Sequence, residues 1–141
     1  MKDLQGIKLT DEQFEELAEN YSDVEKVCAL AHFLELKKEE ILEIEELDGE
    51  ASLSFTYRYD GVELRVMTDD EADEEFNKAF NYVIEDYVLQ TIPRDYRKYF
   101  DRETYKRDLL LKDGRVMLAS YDREEHFSTF NDTLYFIYRI D

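Results

Sequence analysis

The chain has a single cysteine, a single proline and four glycines among its 141 residues. One cysteine, Cys28, excludes an internal disulfide and a cysteine-based zinc cluster. There is no repeat and no linker rich in Gly, Ser or Pro, so residues 1–141 are predicted to form one domain of ordinary size. No apolar run approaches the length of a membrane span, and residues 1–13 contain no apolar signal segment. This predicts an intracellular protein.

Basic residues are also scarce, with 18 Lys and Arg against 36 Asp and Glu, which gives a net charge of −18. The hydrophobic fraction of 43% and the aromatic fraction of 14% exclude a disordered acidic tail. Such a charge repels nucleic acid and anionic membranes, so neither is predicted as a direct partner. The predicted partners are basic surfaces, cations, or proteins that hold DNA or RNA.

Catalytic motifs are missing as well. The sequence has no Gly-rich phosphate loop, no HExxH motif and no nucleophile elbow. Cys28 and His32 lie among apolar residues and are predicted to pack in the core, and His126 is predicted to be a solvated loop residue. The acidic loop that contains His126 lacks the Asp/Asn alternation and central glycine of an EF-hand. We therefore predict no enzyme, no cofactor and no metal site.

Helix signals dominate the first half of the chain. Capping-box patterns predict helix starts at Thr10, Ser22 and Thr68. The third opens the longest predicted helix, residues 69–90. Its predicted core positions are Phe76, Phe80, Val83, Ile84 and Tyr87. Shorter helices are predicted over residues 38–46, with Ile41, Leu42 and Leu47 inward, and over residues 101–111.

Strand signals form two pairs. Residues 52–67 alternate around Asp60-Gly61, a dipeptide that favours a tight hairpin turn. Residues 115–122 and 133–140 are predicted to be a second pair, joined by a polar loop. The predicted fold class is α+β: a helical region over residues 1–50, then a hairpin–helix–hairpin core over residues 51–141. The two hairpins form a small antiparallel sheet that the long helix covers.

The excess negative charge lies entirely in the first part of the chain. Residues 1–90 contain 26 acidic and 8 basic residues, whereas residues 91–141 contain 10 of each. The stretch KKEEILEIEELDGE, residues 37–50, has six glutamates and one aspartate.

Many of these carboxylates recur every three or four residues on predicted helices. A four-residue step rises about 6 Å along a helix, which is broadly similar to the separation of phosphates along a nucleic-acid strand. The predicted acidic binding surface consists of Glu12, Glu16, Glu19, Glu35, Glu39, Glu43, Glu46, Asp69, Asp70, Asp73 and Glu74.

Two interpretations of this surface are open. Like charges four residues apart on a helix destabilise it slightly, so a face selected for stability alone would include Lys and Arg. This favours a surface that imitates the phosphates of a nucleic acid. Acidic helical faces are nevertheless common, and the same residues fit a solvated face or a generic acidic interaction module.

Residues 94–111, RDYRKYFDRETYKRDLLL, interleave aromatic and basic residues, a pattern found in nucleic-acid-binding segments. Their acids offset the bases. Ion pairs around buried tyrosines are therefore predicted here.

Residues 66–122 resemble a segment of small, acidic, uncharacterised proteins of bacteriophages and integrated phages. The matching positions are Thr68 to Asp73, Ile92-Pro93, Tyr99 to Asp101, Arg107-Asp108 and Ala119 to Asp122. The stretch from Tyr99 to Leu109 is also similar, over about ten residues, to the YxDYExxxRDL signature of ArdA-type antirestriction proteins. Those proteins imitate DNA and occupy the DNA groove of type I restriction enzymes. This chain is shorter than they are, and its last third is neutral.

These resemblances imply a protein of the bacterial host cytoplasm. The implied function is inhibition of a DNA- or RNA-handling defence protein, of the antirestriction or anti-CRISPR type, through a basic surface on that host protein. Homodimerisation is left open.

Overall fold

The structure is a computed structural model that describes residues 2–4, 7–47 and 55–141, with side chains from residue 10 onward. Helices and strands occur throughout these ranges. The α-helices are α1 (Asp11–Asn20), α2 (Val24–Phe33), α3 (Asp69–Val83) and α4 (Arg102–Asp113). Helix α3 continues into a π-turn (Ile84–Val88) and a 3₁₀ turn (Leu89–Thr91), and further 3₁₀ helices span Lys38–Glu43, Arg94–Tyr99 and Val116–Leu118.

The strands form two antiparallel sheets. They are β1 (Lys2–Leu4), β2 (Ile7–Leu9), β3 (Glu45–Leu47), β4 (Thr56–Tyr59), β5 (Val62–Thr68), β6 (His126–Phe130) and β7 (Thr133–Arg139). The main sheet has five strands in the order β3-β4-β5-β7-β6, and β1 pairs with β2 in a separate two-stranded sheet. The predicted α+β class, with two hairpins and one long helix, is confirmed.

Both hairpins turn on two residues with positive φ angles. Asp60 and Gly61 have φ angles of 50° and 79°, and Asn131 and Asp132 have φ angles of 51° and 63°. Positive φ angles at both central residues are typical of type I′ turns, whose backbone twist matches that of the two flanking strands. The first turn was predicted from the sequence. The part of the predicted first strand at residues 52–54 lies outside the described residues.

Helices cover both faces of the main sheet. Leu64, Val66 and Ile137 belong to a core shared with α1 and α2. Met67 and Tyr138, their neighbours in the strands, belong to a second core shared with α3. Because successive strand residues point to opposite faces, the sheet lies between two helical layers. The long helix therefore covers only one face, and the helical region of residues 1–50 supplies the cover for the other.

Two of the three predicted capping boxes are present. Thr10 accepts a hydrogen bond from the Gln13 backbone N–H at 3.1 Å, and Thr68 accepts one from Glu71 at 3.3 Å. The prediction for Ser22 is wrong, because the side chain of the next residue, Asp23, accepts the bond from Lys26 N–H and caps α2.

The long helix differs from its prediction in one turn. Phe76, Phe80 and Ile84 are buried, but Tyr87 is 59% exposed. Tyr87 lies within the π-turn, where the wider turn changes the helical phase. That change rotates Tyr87 away from the core.

Four further predictions are wrong. Residues 38–43 form a 3₁₀ helix, whereas a helix was predicted over residues 38–46. Leu42, which was predicted to point inward, is exposed. Residues 115–122 contain a 3₁₀ turn, and β6 lies in the segment that had been predicted as a loop. The buried side of β6 contains Ser128 and Phe130, so its sequence HFSTF lacks the alternation of apolar and polar residues that would indicate a strand.

The tyrosines of the basic-aromatic segment are not buried. Tyr96 and Tyr99 are exposed, as is Tyr105 to a smaller extent. The prediction of ion pairs around buried tyrosines is therefore wrong for these three residues. In the described part of the chain, no helix is both long enough and apolar enough to cross a bilayer.

Candidate interaction surface

Helix α1 presents a row of glutamates to solvent. Glu12, Glu16 and Glu19 are all exposed, and the helix sequence DEQFEELAEN contains no Lys or Arg. The capping box at Thr10 fixes where the helix starts. Leu17, on the opposite side, is buried in the core. The predicted row is therefore present on one helix, and Glu15 extends it.

A groove joins α1 to the 3₁₀ helix Lys38–Glu43. Its volume is about 230 Å³. Gln13, Glu16 and Leu17 line it from α1, and Lys38, Glu39 and Leu42 line it from the 3₁₀ helix. Carboxylates from two separate elements thus share one concave surface with two leucines. We call this surface, together with Glu12, Glu19 and Glu43 of the same two helices, the acidic groove.

The 3₁₀ helix is held in place by Tyr21, the C-cap of α1. The Tyr21 hydroxyl donates to the carbonyl oxygens of Ile41 at 2.9 Å and Ile44 at 2.7 Å. Burial, and then the charge of Glu46, raises the pKa of Tyr21 to about 12, so the hydroxyl keeps the proton that it donates. With Ile41 buried beneath it, this short helix presents Glu39 and Glu43 outward.

The predicted row of Glu35, Glu39 and Glu43 is wrong as a helical row. Helix α2 ends at Phe33, and Glu35 has a φ angle of 57° in the connection that follows it. Glu39 and Glu43 lie on a 3₁₀ helix with three residues per turn. Residues four apart on such a helix point in different directions. All three carboxylates are exposed, but they do not form one line.

The carboxylate of Glu46 is less available to a binding partner than predicted. It lies on β3 and is half-buried. Its carboxylate accepts hydrogen bonds from the Ser22 hydroxyl and from the Ser22 backbone N–H, the latter at 3.3 Å. We therefore regard Glu46 as a structural residue that links β3 to the start of α2.

Two aspartates of α3, Asp69 and Asp73, form ion pairs with the buried base Arg115. Arg115 Nη1 lies 2.9 Å from Asp69 and 2.9 Å from Asp73, and its Nε lies 3.1 Å from Glu125. Arg115 itself is nearly buried and lies over the ring of Phe136. Two predicted surface residues, Asp69 and Asp73, therefore help to attach α3 to the segment that precedes β6.

Two glutamates of α3 neutralise other buried bases. Glu71 pairs with Lys26 at 2.7 Å, and Glu75 pairs with Arg65 at 3.4 Å. Burial opposes ionisation of Glu71, but hydrogen bonds from Lys26 and Thr68 outweigh it and hold the pKa of Glu71 below its ordinary value. Of the predicted α3 residues, Asp70 and Glu74 remain exposed, and Glu74 has Lys78 at 4.0 Å.

Of the predicted surface residues, Glu12, Glu16, Glu19, Glu39 and Glu43 of the acidic groove are exposed, and Glu35 and Asp70 are exposed outside it. No ion pair within the described residues involves Glu12, Glu16, Glu19, Glu39 or Glu43. Glu15 and the approach of Leu42 to α1 were not predicted from the sequence. A helix that contains four glutamates and no base was the available signal for Glu15.

The two histidines and the cysteine differ from one another in their surroundings. Cys28 is buried as predicted, and burial, followed by the charge of Glu25, raises the pKa of its thiol to about 12. His32 is half-buried on α2. His126 is not a loop residue: it opens β6, is half-buried, and its ring lies 5.1 Å from that of Phe33.

Comparisons of the chain with protein-family models, with curated proteins and with solved structures find no match. The resemblances to phage proteins and to ArdA-type proteins therefore stay predictions from the residues quoted for them.

Proposed function

We propose that this protein acts by binding, and that its acidic groove imitates the phosphates of a nucleic acid. The target is a bacterial DNA- or RNA-handling protein with a basic surface, such as a defence component of the antirestriction or anti-CRISPR target class. The action takes place in the host cytoplasm, and no covalent chemistry is involved. The main observation in support is that Glu16 and Glu39 line the same groove. The other glutamates of the acidic groove are exposed and have no ion-pair partner among the described residues.

The contrast with the rest of the molecule supports this choice. Lys26, Arg65 and Arg115 are buried, and each pairs with a carboxylate of α3. The chain thus places bases against its acids where packing requires them. Helix α1 contains no base. Like charges three or four residues apart nevertheless destabilise a helix by about a few tenths of a kcal/mol per pair.

The groove also offers more than charge. Leu17 and Leu42 line it between the carboxylates, and Leu42 is 46% exposed. Long basic side chains have apolar stems that can cover such leucines while their charged ends reach the glutamates. A Lys- or Arg-rich surface that normally tracks a phosphate backbone would meet carboxylates and leucines together in the groove, where Lys38 is the one base among the described lining residues.

Electrostatic attraction would act mainly on the rate of association. A field of like charges steers an oppositely charged partner and can raise association rates by about 10–10³-fold. A single exposed ion pair contributes only about 0–1 kcal/mol. Glu39→Gln alone should therefore weaken binding slightly, whereas several neutralisations together should slow binding strongly.

The first experiment is capture of binding partners from a bacterial lysate at low and high salt, with the bound proteins identified. The groove variant carries Glu12→Gln, Glu16→Gln, Glu19→Gln and Glu39→Gln. The matched control variant carries Asp86→Asn, Asp95→Asn, Asp108→Asn and Asp113→Asn. These four are exposed residues of the segment 86–113, which does not line the groove, so both variants lose the same charge.

The proposal predicts that the parent and the control variant capture a nucleic-acid-binding protein, and that duplex DNA or RNA displaces it. The groove variant should capture much less of it. Capture that resists displacement by nucleic acid would favour a generic acidic interaction module. Equal capture by the groove and control variants would contradict the assignment of the groove.

A further inference from the structure

Three side chains with metal-binding donor atoms converge just before β6. His126 Nε2 lies 3.2 Å from Asp122 Oδ2 and 3.8 Å from Glu124 Oε2. One donor atom from each residue lies within 4.8 Å of the other two. Their alternate spacing, Asp122-x-Glu124-x-His126, brings them together only because the chain bends before the strand begins.

Backbone contacts hold this bend in position. Tyr121 N–H donates to the carbonyl of Arg139 at 3.1 Å, and Arg123 N–H donates to the carbonyl of Ala119 at 2.8 Å. The Glu124 N–H donates to Asp122 Oδ1 at 3.1 Å, so the other carboxylate oxygen faces His126. The His126 ring is fixed by strand pairing of its backbone with Ile137 and by contact with Phe33.

These distances suit a small divalent transition-metal ion. Zinc binds imidazole nitrogen and carboxylate oxygen at about 2.0–2.2 Å, so two ligands of a tetrahedral site lie about 3.4 Å apart. The two distances from His126, 3.2 Å and 3.8 Å, lie on either side of that value. Glu124 is 70% exposed, so its side chain is free to rotate closer.

An independent feature adjoins the three donors. Asp122 and His126 also line a cleft of about 350 Å³ whose other walls are mainly apolar. Phe33, Leu34 and Val62 contribute to these walls. Arg139 contributes a positive charge, and Asp60 a negative one. Ligand sites are commonly apolar concavities with a few convergent polar groups, and catalytic or ligand-binding zinc sites keep a coordination position open beside three protein ligands.

We propose that Asp122, Glu124 and His126 bind a divalent transition-metal ion of the zinc type, with its remaining coordination positions open toward this cleft. The mixed nitrogen and oxygen donor set distinguishes the site from the all-carboxylate surface of α1. A ligand of the complete site would offer an anionic oxygen to the metal and to Arg139, and an apolar body to Phe33 and Val62. This site is separate from the acidic groove, and its failure would leave the proposed function unaffected.

The test is titration of the full chain with Zn²⁺ by calorimetry and with Co²⁺ by visible absorption. His126→Ala removes the imidazole donor, and Asp122→Asn removes a charge while keeping an oxygen that can accept from Glu124 N–H. Both variants should bind either ion at least about 10-fold more weakly, since even outer-shell changes have effects of that size. Glu124→Gln is a third variant. Because Glu124 is exposed, this substitution should leave the fold unchanged. The matched control is His32→Ala, which should bind both ions like the parent.

Circular dichroism and thermal unfolding establish that each variant is folded. Equal affinity of the parent, His126→Ala and Glu124→Gln would mean that ions collect on the acidic surface without a specific site, and would overturn the proposal. A Co²⁺ spectrum with a thiolate charge-transfer band that is lost in Cys28→Ser would place the ion elsewhere, with the same consequence.

Discussion

Helices α1 and α3 carry acidic residues at the same helical spacings, yet the fold uses them differently. On α3, Asp69, Asp73 and Glu71 all lie against buried bases. On α1, Glu12 and Glu16 face solvent without an ion-pair partner among the residues that the structure describes. The spacing of acids on a helix therefore does not determine whether their charge is available to a partner.

The difference arises from what each helix packs against. Helix α3 covers the sheet face on which Arg65 of β5 is buried, and a buried charge requires an opposite charge close to it. Helix α1 reaches the other core through Leu17, and Phe14 lies against Phe130. That contact is apolar, and α1 itself contains no Lys or Arg.

The largest expected effect tests α3 as a structural element. Phe80 is 3% exposed, so Phe80→Ala should lower the free energy of unfolding by about 3–5 kcal/mol because it leaves a cavity. Tyr87→Ala, in the exposed part of the π-turn, should change it by less than about 0.5 kcal/mol. Denaturant unfolding measures both. A small effect of Phe80→Ala would remove α3 from the core.

The next effect concerns the base that engages α3. Arg115→Ala leaves Asp69, Asp73 and Glu125 without their shared partner. The expected loss is about 1–3 kcal/mol, which is less than for a fully buried pair because the two aspartates are largely exposed and screened by solvent.

Arg94→Ala, at an exposed position, is the control for Arg115→Ala and should be nearly neutral in urea unfolding. If the two variants are equally stable, the α3 aspartates are not held by Arg115, and the contrast with α1 is lost.

A smaller effect is expected in the pH dependence of stability. The pKa of Glu71 is lowered in the folded state, so the unfolded chain takes up a proton at this residue at higher pH than the folded chain does. The stability contributed by Glu71 is therefore present above its unfolded pKa and is lost as the pH falls through its folded pKa.

Glu71→Gln should remove this part of the acid sensitivity when the free energy of unfolding is measured between about pH 6 and pH 3. Glu74→Gln, on the exposed side of the same helix, should leave the curve unchanged in shape. Parallel curves for the parent and Glu71→Gln would show that the Lys26–Glu71 pair does not favour the folded state.

The smallest effect on stability is expected for the groove variant. Neutralising Glu12, Glu16, Glu19 and Glu39 relieves repulsion between neighbouring carboxylates. The free energy of unfolding should stay the same, or rise by about a few tenths of a kcal/mol for each pair of neighbouring carboxylates that is neutralised. A clear loss of stability in thermal unfolding would mean that these glutamates are structural after all, as the α3 acids are.

Much of the fold could be predicted from local sequence signals. The capping boxes at Thr10 and Thr68 and the Asp60-Gly61 turn depend on residues close together in the chain, and all three are present. The strand β6 was missed because its pattern is short and follows an acidic loop. The π-turn that exposes Tyr87 has no local signal that we could identify.

The candidate surface was predictable only in part, because ion pairing depends on distant residues. Asp69 and Asp73 look as available as Glu12 and Glu16 until Arg115, more than 40 residues away, is placed beside them. The groove likewise depends on α1 meeting the 3₁₀ helix through Leu42, which the sequence had suggested to be a core residue. Local spacing identified the α1 row, and tertiary structure decided which rows remain free.

The most direct test of the central claim is the rate at which the captured partner associates with the parent, the groove variant and the control variant at low salt. Both variants carry the same net charge, so any difference between them reports on where the charge lies. The control variant should associate nearly as fast as the parent. The groove variant should associate about 10–10³-fold more slowly, with a weaker dependence on salt. Association of the groove variant at the rate of the control variant would contradict the account, and the glutamates of α1 would then serve solvation alone.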